Sequence, residues 1–279
     1  MKSTLTLISI FLLSTTIQAQ CDTSEYKEDY RNGSYVIGQL VCNEKSGEWN
    51  YFDKNDVLIK REVFENGQLS GERSIWYPNG QQKAEENWSG GKLNGSVKYW
   101  TENGTLLEES TYEDGELQGV SREWFENGKK KKVTNYIDGK KSGEYEVYYE
   151  NGNLKEKGKF LEGEPDGEIK TFFENGSISS EISYENGVQH GKYTTFFENG
   201  AINVSGEYEQ GNQVGLWKQF HINGQLISNG FYAQGAKDGL WEQWYMGGKP
   251  KSKGSYKNGQ KIDTWLEWDE SGKKTKTKY

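Results

Sequence analysis

Residues 71–94 read GERSIWYPNGQQKAEENWSGGKLN, and this 24-residue unit recurs along most of the chain. We number the positions of a unit from its first glycine, Gly71 in this copy, which is +0. Glycine returns at three positions of the unit, +0, +9 and +20, with no insertion between copies. The +0 series runs Gly47, Gly71, Gly95, Gly119, Gly143, Gly167, Gly191, Gly215 and Gly239, and Asp263 is its one lapse. A fixed period of this length is typical of a repeat protein, in which one supersecondary unit is stacked many times.

Aromatic residues keep the same step at two further positions. We expect the +5 and +17 rings to fill one face of the protein as its structural core, because they are the large apolar side chains that recur in every unit. The +5 series is Trp76, Trp100, Trp124, Tyr148, Phe172, Phe196, Phe220 and Trp244. The +17 series is Phe64, Trp88, Tyr112, Tyr136, Phe160, Tyr184, Tyr208, Tyr232 and Tyr256.

Each unit reads as two short strands joined by a turn, since β-branched and aromatic residues populate both runs and neither carries a helical apolar stripe. Pro78 at +7 favours a type I turn followed by a left-handed glycine at +9, which makes a three-residue loop. That loop pairs +5 with +11 and predicts that Trp100, Leu106 and Tyr112 share one face. The predicted fold is all-β: an elongated, solenoid-like, single-layer antiparallel meander of tandem 24-residue hairpins.

The N-terminus has the pattern of a secretory signal peptide over residues 1–20. Lys2 supplies a charged start, residues 5–17 are apolar, and Ala19 provides a small residue for cleavage. We therefore expect export, with periplasmic, cell-surface and secreted destinations all open. Lipidation of Cys21 is less favoured because Gln20 stands before it, where lipid-attachment signals carry a small residue. The apolar run is too short to span a bilayer, and no transmembrane segment is expected in the mature chain.

The chain then divides into an N-terminal capping half-repeat at 21–46, nine repeats at 47–262, and a partial repeat with a basic tail at 263–279. Cys21 and Cys42 are the two cysteines of the chain. An even count in an exported protein predicts a disulfide, which would attach the mature N-terminus to the first, atypical unit.

Composition excludes several classes of function. The net charge of −8 argues against nucleic acid as a partner, because phosphate binding needs clustered Lys and Arg. His190 and His221 are the two histidines, and they occupy different positions of the repeat. No Cys–His or Ser–His–Asp arrangement stands out, and two thiols without a nearby histidine do not make a metal site. We therefore expect no enzyme activity, no catalytic residue, no metal and no cofactor.

A row of aromatic residues at +6 is the candidate partner-binding surface. These residues point away from the +5 rings, so they would place an apolar row on the opposite face. Packing of the same rings against neighbouring strands or loops is the other interpretation, and the sequence leaves both open. The row consists of Tyr77, Phe125, Tyr149, Phe173, Phe197 and Tyr245.

The pattern Gly215-Leu-Trp217…Phe220…Asn223-Gly224…Tyr232…Gly235…Gly239 resembles a MORN repeat. The resemblance covers residues 47–278 and is closer still to the variant repeat of bacterial proteins of the YwqK-type antitoxin family. It implies a β-hairpin array that contacts proteins or lipids and catalyses no reaction. The function hypothesis is an exported scaffold for protein–protein interaction. The alternative is a cell-envelope glycan-binding protein that uses its aromatic rows.

Overall fold

The computed structural model describes residues 21–279, and this part of the chain is all-β, with one open antiparallel sheet of 25 strands. Neighbouring hairpin strands pair in sequence order, so the sheet is a meander, as predicted. The two-residue strands β5, β10 and β15 pair with the strand before them, and β6, β11 and β16 continue along that same strand. The predicted signal peptide, residues 1–20, lies outside the described residues. The strands are β1 Thr23–Asp29, β2 Tyr35–Val41, β3 Glu44–Phe52, β4 Leu58–Glu65, β5 Gln68–Leu69, β6 Gly71–Trp76, β7 Gln82–Ser89, β8 Lys92–Trp100, β9 Leu106–Glu113, β10 Glu116–Leu117, β11 Gly119–Trp124, β12 Lys130–Ile137, β13 Lys140–Tyr148, β14 Leu154–Leu161, β15 Glu164–Pro165, β16 Gly167–Phe172, β17 Ile178–Glu185, β18 Val188–Phe196, β19 Ile202–Glu209, β20 Asn212–Phe220, β21 Leu226–Ala233, β22 Ala236–Trp244, β23 Pro250–Lys257, β24 Gln260–Trp268 and β25 Lys274–Lys278.

Within a unit, the two strands are joined by the predicted three-residue loop. In the 71–94 unit, Trp76 pairs with Gln82, which is the +5 to +11 pairing. The Tyr77 N–H donates to the Gln81 carbonyl, and the Gly80 N–H donates back to the Tyr77 carbonyl at 2.9 Å. Gly80 has a φ of +83°, the left-handed conformation that closes a type I turn in a hairpin.

Between units, the connection is a two-residue turn. Ser89 pairs with Lys92 across Gly90 and Gly91, whose φ angles are 55° and 78°. Two consecutive positive φ angles define a type I′ turn, whose twist matches that of the flanking strands. The chain therefore alternates a three-residue loop at one end of the strands with a two-residue turn at the other end.

A β-bulge inside each repeat changes which residues share a face. Ile75 pairs with Ala84 and Trp76 with Gln82, so Lys83 at +12 is an extra residue without a partner. An extra residue in one strand reverses the facing of everything beyond it, because side chains alternate along a strand. As a result +13, +15 and +17 face the same side as +4, +2 and +0. The prediction that Trp100 and Tyr112 share a face is wrong: Tyr112 pairs with Gly95 instead.

The sheet therefore has two distinct surfaces. We call the one bearing +0, +2, +4, +13, +15 and +17 the core face, and the one bearing +1, +3, +5, +12, +14 and +16 the outer face. The buried aromatic side chains lie at +2. The prediction of a core at +5 is corrected, because the +5 rings are only half-buried and stand on the outer face. The buried +2 residues are Trp49, Val97, Tyr145, Trp217, Trp241 and Trp265. The half-buried +5 residues are Trp76, Trp100, Trp124, Tyr148, Phe172, Phe196, Phe220 and Trp244.

At the N-terminal end, β1 and β2 form a hairpin that has no bulge. Tyr26 on β1 stacks against Trp49 on β3, with ring centroids 5.0 Å apart, and so covers the first buried tryptophan. A disulfide joins Cys21 to Cys42 just outside this hairpin, with the two Cα atoms 5.1 Å apart. The bond ties the first described residue to the turn between β2 and β3.

Candidate functional site

The core face is built from one recurring contact: the +15 residue of a unit against the +2 residue of the next. At both ends of the array this contact is a tryptophan lying on a glycine. A Cβ on the glycine would come within 2.1 to 2.3 Å of the tryptophan Cδ2, so no larger residue fits beneath the ring. Sequence reasoning missed this contact, although the sequence carries a signal for it: tryptophan at +2 occurs where the preceding +15 is glycine. The pairs are Gly38/Trp49, Gly206/Trp217, Gly230/Trp241 and Gly254/Trp265.

Between residues 62 and 121 two of the three such contacts are polar: Glu62 meets Arg73 and Ser110 meets Ser121, whereas Glu86 pairs with Val97. Arg73 at +2 donates from Nε to Glu62 Oε1 at 3.0 Å and from Nη1 to Glu86 Oε2 at 2.8 Å. Glu86, 5% exposed, also accepts from Trp88 Nε1 and Tyr99 Oη, each at 3.0 Å. One guanidinium therefore bridges two buried carboxylates in consecutive units.

The pKa values in this cluster follow from burial and pairing. Burial raises the pKa of Glu62, but hydrogen bonds from Tyr51 and Lys60 and the charges of Lys60 and Arg73 outweigh it, so the pKa ends below its ordinary value. Burial, and then the neighbouring Glu86 carboxylate, raise the pKa of the Tyr99 hydroxyl. The cluster holds Glu62 ionised and Tyr99 protonated, which is an architectural role.

Toward the C-terminus the core face becomes a continuous aromatic ladder. The +2 rings, Tyr193 and then three tryptophans, alternate with the +17 tyrosines, mostly edge to face, which is the favoured geometry of aromatic pairs. The centroid distances are 5.3 Å for Tyr193–Trp217, 5.2 Å for Tyr208–Trp217, 5.9 Å for Trp217–Tyr232, 5.1 Å for Tyr232–Trp241, 6.1 Å for Trp241–Tyr256 and 4.9 Å for Tyr256–Trp265.

Two open cavities lie along this ladder. One, of about 400 Å³, runs from Tyr193 to Gln243, and the other, of about 430 Å³, runs from Trp241 to Thr275. Both are lined by Trp241 and Gln243, so they join into one elongated trough, which we call the core-face groove. Its volume is in the range of ordinary ligand sites.

Lysines at +22 lie over the buried tryptophans. Lys237 Nζ is 4.1 Å from the Trp241 ring and Lys261 Nζ is 4.2 Å from the Trp265 ring. Lys261 also reaches Glu267 Oε1 at 3.2 Å, whereas within residues 21–279 the Lys237 ammonium has no carboxylate or hydrogen-bond partner. Burial lowers the pKa of Lys237. Burial likewise lowers the pKa of Lys261, but hydrogen bonds to Tyr279 and Glu267 outweigh it and raise the value overall.

The outer face carries an apolar patch in the last units. Leu216 at +1 pairs directly with Phe231 at +16, and Leu240 is the +1 residue of the next unit. These side chains are 41%, 49% and 43% exposed. We call them the outer patch.

The candidate partner-binding row at +6 is half-buried along the edge of the three-residue loops. Three of its members, Tyr77, Tyr149 and Tyr245, donate their hydroxyls to the main-chain carbonyl 23 residues on, in the next unit, at 2.8 to 3.0 Å. The tyrosines of this row therefore join successive units. The row is Tyr77, Phe125, Tyr149, Phe173, Phe197 and Tyr245.

Within residues 21–279, no group of three or more His, Cys, Asp or Glu side chains is placed to hold a metal ion. The same residues include no helix that is long and apolar enough to cross a membrane.

Comparison with known proteins places the repeat in a family. Six segments match the MORN repeat variant: 93–114, 117–138, 141–162, 165–186, 189–210 and 237–258. Their starts are 24 residues apart, with one step unmatched, which agrees with the period read from the glycines. No curated protein matches the chain.

Among solved structures, one match is the crystal structure of TcdB2-TccC3 without the hypervariable C-terminal region. It is 10% identical, with a TM-score of 0.19, and the match covers 86% of this chain. This chain spans 15% of the length of that one. The family matches identify the repeat itself: the protein is a repeat protein that carries at least six MORN-variant repeats between residues 93 and 258.

Proposed function

We propose that this protein is an exported, non-catalytic repeat scaffold that binds another protein through the outer patch. The observation that carries the proposal is that Leu216, Phe231 and Leu240 are exposed together on one face. A contiguous apolar patch on an otherwise polar surface is a mark of a protein–protein contact.

The rest of the array provides the comparison for this patch. Two units earlier, the same three positions hold Glu168, Ser183 and Lys192. One unit earlier, the +1 and +16 positions hold Lys192 and Glu207, which pair across the strands. The fold therefore accepts charged residues at these positions. Apolar side chains at 216, 231 and 240 are not needed for the hairpin itself, which favours a role in binding.

Export is part of the proposal. It is supported by the leader pattern of residues 1–20 and by the Cys21–Cys42 disulfide, since disulfides persist in oxidising compartments. The destination, periplasm, cell surface or medium, stays open in this proposal. The enzyme class is left aside because the site consists of packing contacts and paired charges, with no nucleophile beside a base.

The resemblance to YwqK-type antitoxins supports protein binding in general. We do not extend it to neutralising a toxin in the cytoplasm, because the proposed export would remove the protein from that compartment. Glycan binding, the second candidate, is favoured by a separate surface, the core-face groove.

The test is photo-crosslinking in cell-envelope extracts with the mature chain, residues 21–279, carrying a photoreactive residue at position 228 or 255 for comparison of the two faces. We expect a defined partner to crosslink from Ser255 on the outer face and not from Ser228 on the core face. The variant L216K/F231E, which copies the Lys192–Glu207 pair of the preceding unit, should abolish that adduct while keeping the fold. The control K192E/E207K, which inverts that pair, should leave it unchanged. Equal crosslinking by L216K/F231E and the wild type would contradict the proposal.

A further inference from the structure

The core-face groove contains a positive charge that the protein itself does not neutralise. The charged residues lining its 400 Å³ part are Lys218 and Lys237, and none of the lining residues in the described chain is Asp or Glu. Lys218 is a +3 residue, so its side chain belongs to the outer face. Lys237 is therefore the cation on the core-face wall, although the whole chain has a net charge of −8.

The next unit shows how the protein neutralises the equivalent lysine. Lys261 also lies over a tryptophan, and Glu267 at +4 pairs with it at 3.2 Å. At Lys237 the corresponding +4 residue is Gln243. The two sites have the same ring, but among the described residues Lys261 has two internal partners that Lys237 lacks: the Glu267 carboxylate and the Tyr279 hydroxyl, which is 3.3 Å away. A carboxylate from a ligand would complete the Lys237 site in the way that Glu267 completes the other.

The remaining lining of the groove suits sugar rings. Its neutral hydrogen-bonding side chains include Gln213, Gln219, Ser228 and Gln243. Ser252 Oγ donates to Gln243 Oε1 at 3.0 Å, which leaves the Gln243 amide N–H groups for a ligand. The half-buried Tyr208 and Tyr232 form the wall and present an apolar ring with a polar tip.

The groove is also long in one direction. Its two parts join at Trp241 and Gln243 and follow the array across successive units. With two strands per unit, each unit advances about 10 Å. This step matches the length of two β-1,4-linked pyranose rings, so a linear oligosaccharide would meet the same amide and ring positions in each unit it crosses.

We propose that the core-face groove binds an acidic oligosaccharide whose carboxylate pairs with Lys237 and whose hydroxyls bond to the Gln and Ser side chains of the floor. The site is distinct from the outer patch and goes beyond protein binding, because it lies on the opposite face of the sheet.

The experiment is isothermal titration of residues 21–279 with β-1,4-linked trimannuronate, with mannotriose as the neutral match and triglutamate as the peptide match. We expect trimannuronate to bind at one site and mannotriose to bind at least about tenfold more weakly, since a charge-assisted contact is removed. Salt should weaken trimannuronate binding because the contact is ionic.

Two variants separate the site from the fold. Q243E places a carboxylate beside Lys237, as in the next unit, and should weaken trimannuronate binding about tenfold with an unchanged unfolding transition. E267Q removes the carboxylate that pairs with Lys261 and should add a second binding event. T264E adds the same charge as Q243E on the outer face and should leave binding unchanged.

Three outcomes would overturn the proposal. The first is no binding of trimannuronate to the wild type. The second is equal binding of trimannuronate by Q243E and the wild type. The third is binding of mannotriose or triglutamate as strong as that of trimannuronate, which would remove the carboxylate or the sugar from the recognition.

Discussion

Units 47–118 and units 191–262 share one backbone and fill it with opposite chemistry. In the first region the +2 and +15 residues form the Glu62–Arg73–Glu86 network, and in the second the contact between +15 and the next +2 is a tryptophan on a glycine, as in Gly230/Trp241. The ionic network works only when every charge is paired, because an unpaired buried charge is costly. The aromatic contact needs no partner charge and leaves room beside it for an open groove. The comparison shows that the repeat specifies the backbone geometry. The +2 and +15 residues decide whether the core face of a unit is filled by paired charges or leaves a groove open to a ligand.

The largest loss of stability should come from removing a buried ring in units 191–262. Trp241→Ala removes a ring that is 6% exposed and should lower the free energy of unfolding by about 3–5 kcal/mol. Trp124→Ala, at a half-buried +5 position, should lower it by clearly less. Urea unfolding followed by far-UV circular dichroism measures both. Equal losses would contradict the placement of the core at +2.

The second largest loss of stability should come from breaking the Glu62–Arg73–Glu86 network. Arg73→Met leaves Glu62 and Glu86 buried without their shared cation and should cost about 3 kcal/mol of unfolding free energy. Arg122→Met is the control, because within residues 21–279 that exposed side chain pairs with Glu109 alone, at 3.5 Å, and should contribute under about 1 kcal/mol. Urea midpoints compared at equal m-values give the difference. A small loss from Arg73→Met would mean that the network adds little to stability.

Moving the aromatic contact into the polar region by substitution tests the comparison more sharply. Ser110 and Ser121 occupy the +15 and next +2 positions, and their hydroxyls are 2.9 Å apart. In the double variant S110G/S121W the contact becomes a tryptophan on a glycine, which should be more stable than the two single changes added together, by about 1–2 kcal/mol. A double-mutant cycle of unfolding free energies measures this coupling. A coupling of zero or of opposite sign would show that the pairing does not transfer between units.

The smallest expected effect is the pH dependence of the ionic region. The pKa of Glu62 is below its ordinary value in the folded protein, so its contribution to stability is present above the ordinary pKa and is lost as pH falls through the folded value. Hydrogen exchange by mass spectrometry at pH 7 and pH 3 should show that 47–94 loses protection more than 215–262. In Glu62→Gln the loss between the two pH values should shrink. Uniform loss along the array in both proteins would contradict the assignment.

Much of the architecture follows from residues that recur. The glycines at +9 and +20 require left-handed backbone at two turns per unit, as at Gly80 and Gly91, and this is enough to predict hairpins in a meander. The +5 to +11 pairing also follows, because Pro78 specifies the first turn residue. The +2 core was missed since its residues vary between tryptophan, arginine, valine and serine, and a varying position gives no periodic signal.

The sequence by itself determined the period, the turn types and the antiparallel order, because glycine and proline restrict the backbone locally. Which rings are buried was decided only by the tertiary structure. The unpaired residue at +12, Lys83 in the second unit, shifts the register by one and moves +17 from the face of Trp76 to the face of the buried +2 side chains. A one-residue shift depends on how two strands pair across the sheet, and no single strand encodes it.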